Sequence, residues 1–568
     1  MATVRREYKG RNYVGHYLRR GYREKGEVKQ RTLANLSDLP EEVVELIRLR
    51  LKGVDFVTAK EGFEIVRSLP HGHVAAVRAM LRSLGVHELI QSRPSRLRNL
   101  CEALIVSRIV ASRSKLATHG WFKTNTLAED LSVAEVGLDQ IYEALDYLEA
   151  RRHAIEKRLA KRHLGESALV LYDLTSVAYE GVTCELAAHG GGKSGRKGKR
   201  EIRFGLVTDL AGRPIASEVY PGNTADPMTL QDQIEKLKHR FGVKRVIMIG
   251  DRGVMTQARV QELEAKGGID WITALRAPAI RRLRKRKTLQ PSLFDERDLG
   301  EITSPDYPGE RLVACRNPLL AAERTATRES LIAATEKQLE ALRRRVEKGR
   351  LKDRDKIAIT LGKMINKYKV AKHFHVEIGE AHFQFARKHD SISEEAALDG
   401  IYVLRTSARQ DELAKEQVVT SYKQLSLAEQ AFRIYKSIDL QVAPIRHRLA
   451  GRVRAHVFLC TLAYYVEWHL RQAWAPYLFE DERPGRAGDS PVSSAERSKP
   501  AKAKAASKKA EDGFPSYDFK TLLDHLSTVT RNVTRIPALP QAPPFTVTTT
   551  PNAYQQRLFE LVGLSNLS

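Results

Sequence analysis

Two aspartates stand at the ends of apolar runs. LVLYDLTS (169–176) carries Asp173 after residues that are apolar on both faces, and RVIMIGDRG (245–253) repeats the arrangement with Asp251. A strand apolar on both faces is a central one, so each carboxylate is expected at the sheet's edge, facing a crevice. If the two strands are neighbours, the carboxylates lie side by side. They then repel unless a cation sits between them, and hard oxygen ligands with open coordination positions suit Mg²⁺. Either Asp alone reads more readily as a turn or cap residue. A third acidic candidate lies in SYKQLSLAEQAFRIYKSIDL (421–440), where Tyr422, Glu429 and Lys436 follow one another at intervals of seven. Seven residues make two helical turns less about 20°, so all three are expected on one face of one helix. A solvated amphipathic helix with Leu425, Phe432 and Ile434 in the core has the same spacing.

Other chemistry-bearing signals are weaker. HGGGKSGRKGK (189–199) looks like a phosphate-cradling loop, but Ala187 stands where a P-loop has Gly. Its Lys193, Arg196, Lys197 and Lys199 read as a flexible basic loop between two strands, able to touch nucleic-acid phosphates. His71 with His73, and His373 with His375, have no Cys or acidic cluster near enough in sequence to complete a zinc site. Trp271 in IDWITALR reads as core, and Asp209 and Asp226 sit in turn-like contexts outside the carboxylate set.

The elements that must position these groups follow from pattern. Residues 1–60 alternate aromatic and basic side chains before a helix-like stretch opening at Pro40, a small strand and helix module. Residues 74–163 show 3.6-residue apolar periodicity within a helical domain at 61–165, which is expected to bind DNA through basic residues such as Arg96 and Arg98 at a helix start. From 166 to 279 short apolar runs alternate with a helical stretch, which describes a mixed sheet with helices on it, an α/β fold. Residues 280–398 read as an α+β insertion with a basic run and a long charged helix. The sheet pattern returns at 399–480, which includes the Glu429 helix. Residues 481–513, rich in Ala, Ser, Lys, Pro and Gly, read as a flexible basic linker, and 514–568 as a C-terminal segment.

Composition bounds the function. In 568 residues the formal net charge is +26, spread along the chain, so a polyanionic partner is expected. With 42% hydrophobic and 29% charged residues the chain is globular, neither disordered nor fibrous. Its 4 cysteines are scattered, which excludes a disulfide framework or Cys-based zinc site and fits a reducing cytoplasm. Neither a signal peptide nor a membrane span is expected.

Asp173, Asp251 and Glu429, in this order, resemble the triad of the DDE transposases of bacterial insertion sequences. The branch resembled has an insertion before the third carboxylate and a Tyr-x2-Arg-x3-Glu-x6-Lys signature around it. Tyr422, Glu429 and Lys436 stand at the matching spacings, with Leu425 in place of the signature Arg. DLTS (173–176), PGNTAD (221–226), GDRG (250–253) and ERLVACRNPLL (310–320) also resemble this group, so the similarity runs from about residue 70 to 480. The resemblance implies an RNase H-like core interrupted by the insertion. It implies that the triad holds two Mg²⁺ ions, with Mn²⁺ able to substitute, and that the enzyme cleaves element ends and transfers them into target DNA. It further implies double-stranded DNA as partner, a homodimer when two ends are synapsed, and a place at the bacterial nucleoid. Arg433, four residues beyond Glu429 as Leu425 is four before it, is expected to join Lys436 in holding the DNA phosphate. A catalytically silent DNA-binding relative and an RNase H-like nuclease without transfer activity are the rival readings.

Overall fold

The computed structural model describes all residues except 9, 57–61, 191–197, 267, 438, 482–490, 493–496, 538 and 566–568. Lys193, Arg196 and Lys197 therefore lie outside the described residues. The chain divides into two units, residues 1–69 with 530–549, and residues 70–529 with 550–568.

In the first unit three strands, Ala2–Tyr8, Arg11–Glu24 and Glu27–Asn35, form an antiparallel sheet, followed by the helix Glu41–Leu51. A second sheet joins Glu64–Pro70 to Thr530–Arg535 and Phe545–Thr548. Part of the C-terminal segment thus completes a sheet begun near the N-terminus.

The second unit is built on a nine-stranded mixed sheet. Its central strand, Ser167–Ala178, pairs in parallel with Arg245–Gly250, which pairs in parallel with Ile269–Ala274. On its other side it pairs antiparallel with Arg200–Asp209, which carries Pro214–Pro221 antiparallel in turn. Period-two alternation divides the central strands between two cores. Val170, Tyr172, Val246 and Met248 pack with Leu230, Ile234 and Leu263 on one face. Leu171, Ile247 and Ile249 pack on the other, against Val418, Val419, Leu425 and Ala428. The helices Lys415–Lys423 and Leu425–Lys436 cover this second face.

Three expectations are corrected here. Strands Leu299–Ile302 and Arg311–Arg316 extend the core sheet beyond Ile401–Thr406, with Val313 opposite Leu404. ERLVACR alternates apolar side chains and finds its partners only in a strand distant along the chain. The part of 280–398 with its own core therefore starts at the helix Pro318–Glu347, whose Ile332, Leu339 and Leu342 pack on Ile357, Leu361, Phe374 and Phe383. Second, the helices of 72–163 close no separate domain. The helix Ala450–Ala473 packs on both Arg96–Val110 and Leu138–His163, and all three share one core. Third, within the expected linker, Lys499–Ser507 is a helix capped by Ser498, which donates its N–H and Oγ–H to the Asp481 carboxylate at 2.7 Å each. Its Ala and Lys residues are strong helix formers that compositional bias disguises. Among the described residues no helix is long and apolar enough to cross a membrane.

Candidate active site

The parallel ladder between Ser167–Ala178 and Arg245–Gly250 ends at Tyr172 opposite Gly250. Asp173 and Asp251 are the next residue of each, continuing the series Leu169, Leu171 and Ile247, Ile249 toward the helix-covered face. Asp173 does not end its strand, as the sequence suggests. The strand runs on to Ala178, paired with Arg200–Asp209, and what opens the space beside Asp173 is the ending of its parallel neighbour at Gly250.

The third carboxylate comes from the helix Leu425–Lys436, which packs across the central strand. Leu425, Ala428, Phe432 and Ile434 are buried, leaving Glu429 and Arg433 exposed on the other side of the helix. The expected single helix is broken: Lys415–Lys423 ends and Leu425–Lys436 begins around Gln424. Gln424 keeps right-handed helical dihedrals (φ −62°, ψ −15°) between the two segments. Tyr422 still lies in the field of the acids. Burial, then the charge of Asp251, with Glu429 and Asp173 adding to it against Arg252, pushes its phenol up to about 12.

Electrostatics mark the convergence. Asp173 is half-buried, and its Oδ1 accepts from the Leu174 N–H at 2.8 Å. Burial first, then repulsion from Glu429, Asp251 and Asp226, outweighs that bond and pushes its pKa up to about 6. Burial pulls the Lys436 ammonium down while Asp173 and Glu201 hold it up, which places Lys436 in the field of the site. Leu425 sits in the core under the sheet, 7% exposed, and offers no charge where the family signature has Arg.

Sequence reasoning passed over Asp226. It lies beside Asp251: a Cβ added at Gly253 would stand 3.5 Å from Asp251 Oδ2 and 3.8 Å from Asp226 Oδ2. Arg203 donates to Asp226 Oδ1 at 2.5 Å and also to the Thr224 carbonyl, so Asp226 is tied to a strand as well as facing the acids. Its turn-like context was the only local signal. Asp209, by contrast, is absorbed by its own turn, with Arg213 Nε at 2.7 Å. Arg252, directly after Asp251, is a further residue brought to Tyr422. Tyr422, Tyr402 and Arg252 line a cavity of about 700 Å³ that reaches Arg281, Arg324 and Lys372 of the following segment.

The discounted signals are structural. His71 Nδ1 lies 2.7 Å from Thr126 Oγ1, His373 pairs with Glu395 at 2.8 Å, and Trp271 is fully buried under the Arg405 guanidinium. Lys199 is exposed at the start of Arg200–Asp209.

Among the described residues no three His, Cys, Asp or Glu side chains close around one point. The converging acids nevertheless offer hard oxygen donors only, and their mutual repulsion is the field a divalent cation relieves.

The family model described as "Transposase DDE domain" matches residues 167–466, more than half of the chain, and that for the "IS1634 family transposase, N-terminal domain" matches residues 1–60. The chain belongs to the DDE transposases of insertion sequences. The matched DDE domain spans all three triad candidates and the strands and helix that carry them. No curated protein matches the sequence. Among solved structures, the piggyBac transposase synaptic complex with hairpin DNA is similar over 80% of this chain and 76% of that one, at 8% identity and a TM-score of 0.33. That likeness is too distant to bear on this transposase's fold or chemistry.

Proposed function

We propose that this transposase binds the inverted-repeat ends of its element as double-stranded DNA and catalyses their metal-dependent cleavage and transfer into target DNA. The observation that carries the reading is the arrival of Asp173, Asp251 and Glu429 on one face of the sheet from three separate elements. Five strands, Pro214–Pro221, Arg200–Asp209, Ser167–Ala178, Arg245–Gly250 and Ile269–Ala274, run in that spatial order, the last two parallel to the central one. We read this as an RNase H-like core, with the helical segment after Arg316 as its insertion.

Asp173, Asp251 and Glu429 would hold two Mg²⁺ or Mn²⁺ ions. When bound, such ions ease deprotonation of the attacking oxygen and neutralise charge on the leaving one. The chain's own part is to place the phosphodiester. Lys436, in the field of Asp173, and Arg433 on the same helix hold the phosphate that the acids would otherwise repel, and Tyr422 lies near the acids. In cleavage the oxygen of water bonds to phosphorus and the 3′ oxygen leaves, taking up a proton. In transfer the freed 3′ oxygen bonds to a target phosphorus and its proton ends on the target's own 3′ oxygen. Lys193, Arg196, Lys197 and Lys199 add backbone phosphate contacts, so affinity falls with salt at a log–log slope of about −0.9 per contact. Two ends are held by a homodimer, in the cytoplasm at the nucleoid.

The test is incubation of the purified protein with end-containing duplex and Mg²⁺ or Mn²⁺. Nicking at the element's end, lost in EDTA, and joining of a pre-nicked end to a plasmid are expected. Binding without nicking turns the reading into that of a silent DNA-binding protein, and nicking without joining into that of a nuclease.

A further inference from the structure

Away from the carboxylates, a cavity of about 370 Å³ opens between the start of the helix Lys115–Trp121 and the chain that follows the Glu429 helix, residues 441–447. Its lining contains four basic side chains besides histidines and not one carboxylate: Arg108, Arg113, Lys115 and Arg446 are joined only by neutral groups and by His447 and His456.

Two of the cations are buried. Arg108 is 4% exposed and Lys115 5%. Arg108 donates only to backbone carbonyls, those of Leu440 at 3.4 Å and Arg113 at 3.1 Å, and its Nε–H has no partner. Lys115 Nζ lies 3.4 Å from His456 Nδ1. His456 Nε2 lies 3.0 Å from the Val442 carbonyl, so that nitrogen carries the hydrogen and Nδ1 accepts from the lysine. One bond leaves the other donors of an ammonium unused. Among the described residues neither Arg108 nor Lys115 has a carboxylate in ion-pair distance. The acids nearby are engaged elsewhere, Glu180 with Arg446 at the rim and Asp146 with Arg452. Buried charges in proteins are paired or bind an ion, and a wall of buried donors with an exposed arginine rim is half of such a pair. Burial and the neighbouring Arg108 pull the Lys115 pKa well down, the direction an arriving anion would reverse.

We propose that this cavity is a seat for a phosphate group, held by Arg108 and Lys115 at its floor and by Arg113 at its mouth. It is built into the core: Ile445 bridges to Tyr179 and accepts from the Glu180 N–H at 2.9 Å, just beyond the strand that carries Asp173. At a strand rise of about 3.3 Å per residue, Tyr179 is about 20 Å along the chain from Asp173. A phosphate seated here is distinct from the one at the carboxylates. It can come from the backbone of bound DNA or from a free phosphate compound.

The experiment compares the full-length parent with Lys115→Met and Arg113→Gln. Inorganic phosphate, against chloride at equal ionic strength, is expected to raise the melting temperature of the parent and much less that of either variant. Duplex DNA carrying the element's end is expected to bind each variant about tenfold more weakly, with a salt slope smaller by about 0.9, if the phosphate belongs to DNA. Phosphate stabilisation with unchanged DNA binding assigns the seat to a free phosphate compound. Equal melting shifts and equal DNA binding in parent and variants overturn the proposal. Should Lys115→Met fail to fold, the exposed Arg113→Gln gives the same readouts. A parent that binds no DNA defeats the proposed function, while the phosphate melt still decides the cavity.

Discussion

Asp173 and Asp251 stand at the same level of two parallel neighbouring strands, one residue beyond the last positions paired between them, Tyr172 and Gly250. Their closeness is a property of strand register. A slip of one residue would turn one of them to the opposite face of the sheet, away from Glu429.

Asp173→Ala, Asp251→Ala and Glu429→Ala are each expected to abolish cleavage while leaving binding of end DNA nearly intact. Groups that act as one unit are lost together, so single substitutions should be about as severe as a double one. Gel assays of nicking and of binding on the same preparations check this, and substantial cleavage by one variant removes that residue from the set.

Asp226→Asn is expected to behave differently. Its carboxylate is tied to the mostly buried Arg203. Losing that charge-assisted bond should lower stability by about 1.5–3 kcal/mol while cleavage stays within about tenfold of the parent. Denaturant melts and nicking rates separate the two effects; a loss as deep as that of Asp251→Ala would make Asp226 a fourth ligand.

Arg433→Gln should slow cleavage of pre-bound end DNA by more than about tenfold, the cost of one charge-assisted phosphate contact. Leu425 cannot share this role, since it is buried under the sheet. A single-turnover rate close to that of the parent, with a normal melt, would leave Lys436 alone with the phosphate.

The C-terminal segment should be required for stability. In the helix Phe519–Ser527, Leu522, Leu523 and Leu526 are buried in the core shared by residues 74–159 and Ala450–Ala473. Leu522→Ala is expected to cost about 2–5 kcal/mol, read as a shift in the denaturant midpoint. Truncation after residue 513 should yield insoluble protein.

By itself the sequence determined the strands of the core and the acids that follow their apolar runs. Alternation and two-faced burial in ALVLYD and RVIMIGD are local patterns, and local patterns select local structure. It also determined that Glu429 and Lys436 share one face of a helix, because helical periodicity needs no partner. Only the tertiary structure decided that Ser167–Ala178 and Arg245–Gly250 are neighbours, that ERLVACR joins their sheet, and that residues 72–163 share a core with Ala450–Ala473. It alone brought Asp226 to Asp251 and gathered Arg108, Lys115 and His456 around one cavity. Each of these depends on contacts between segments far apart in the chain, whose pairing no short window of residues contains.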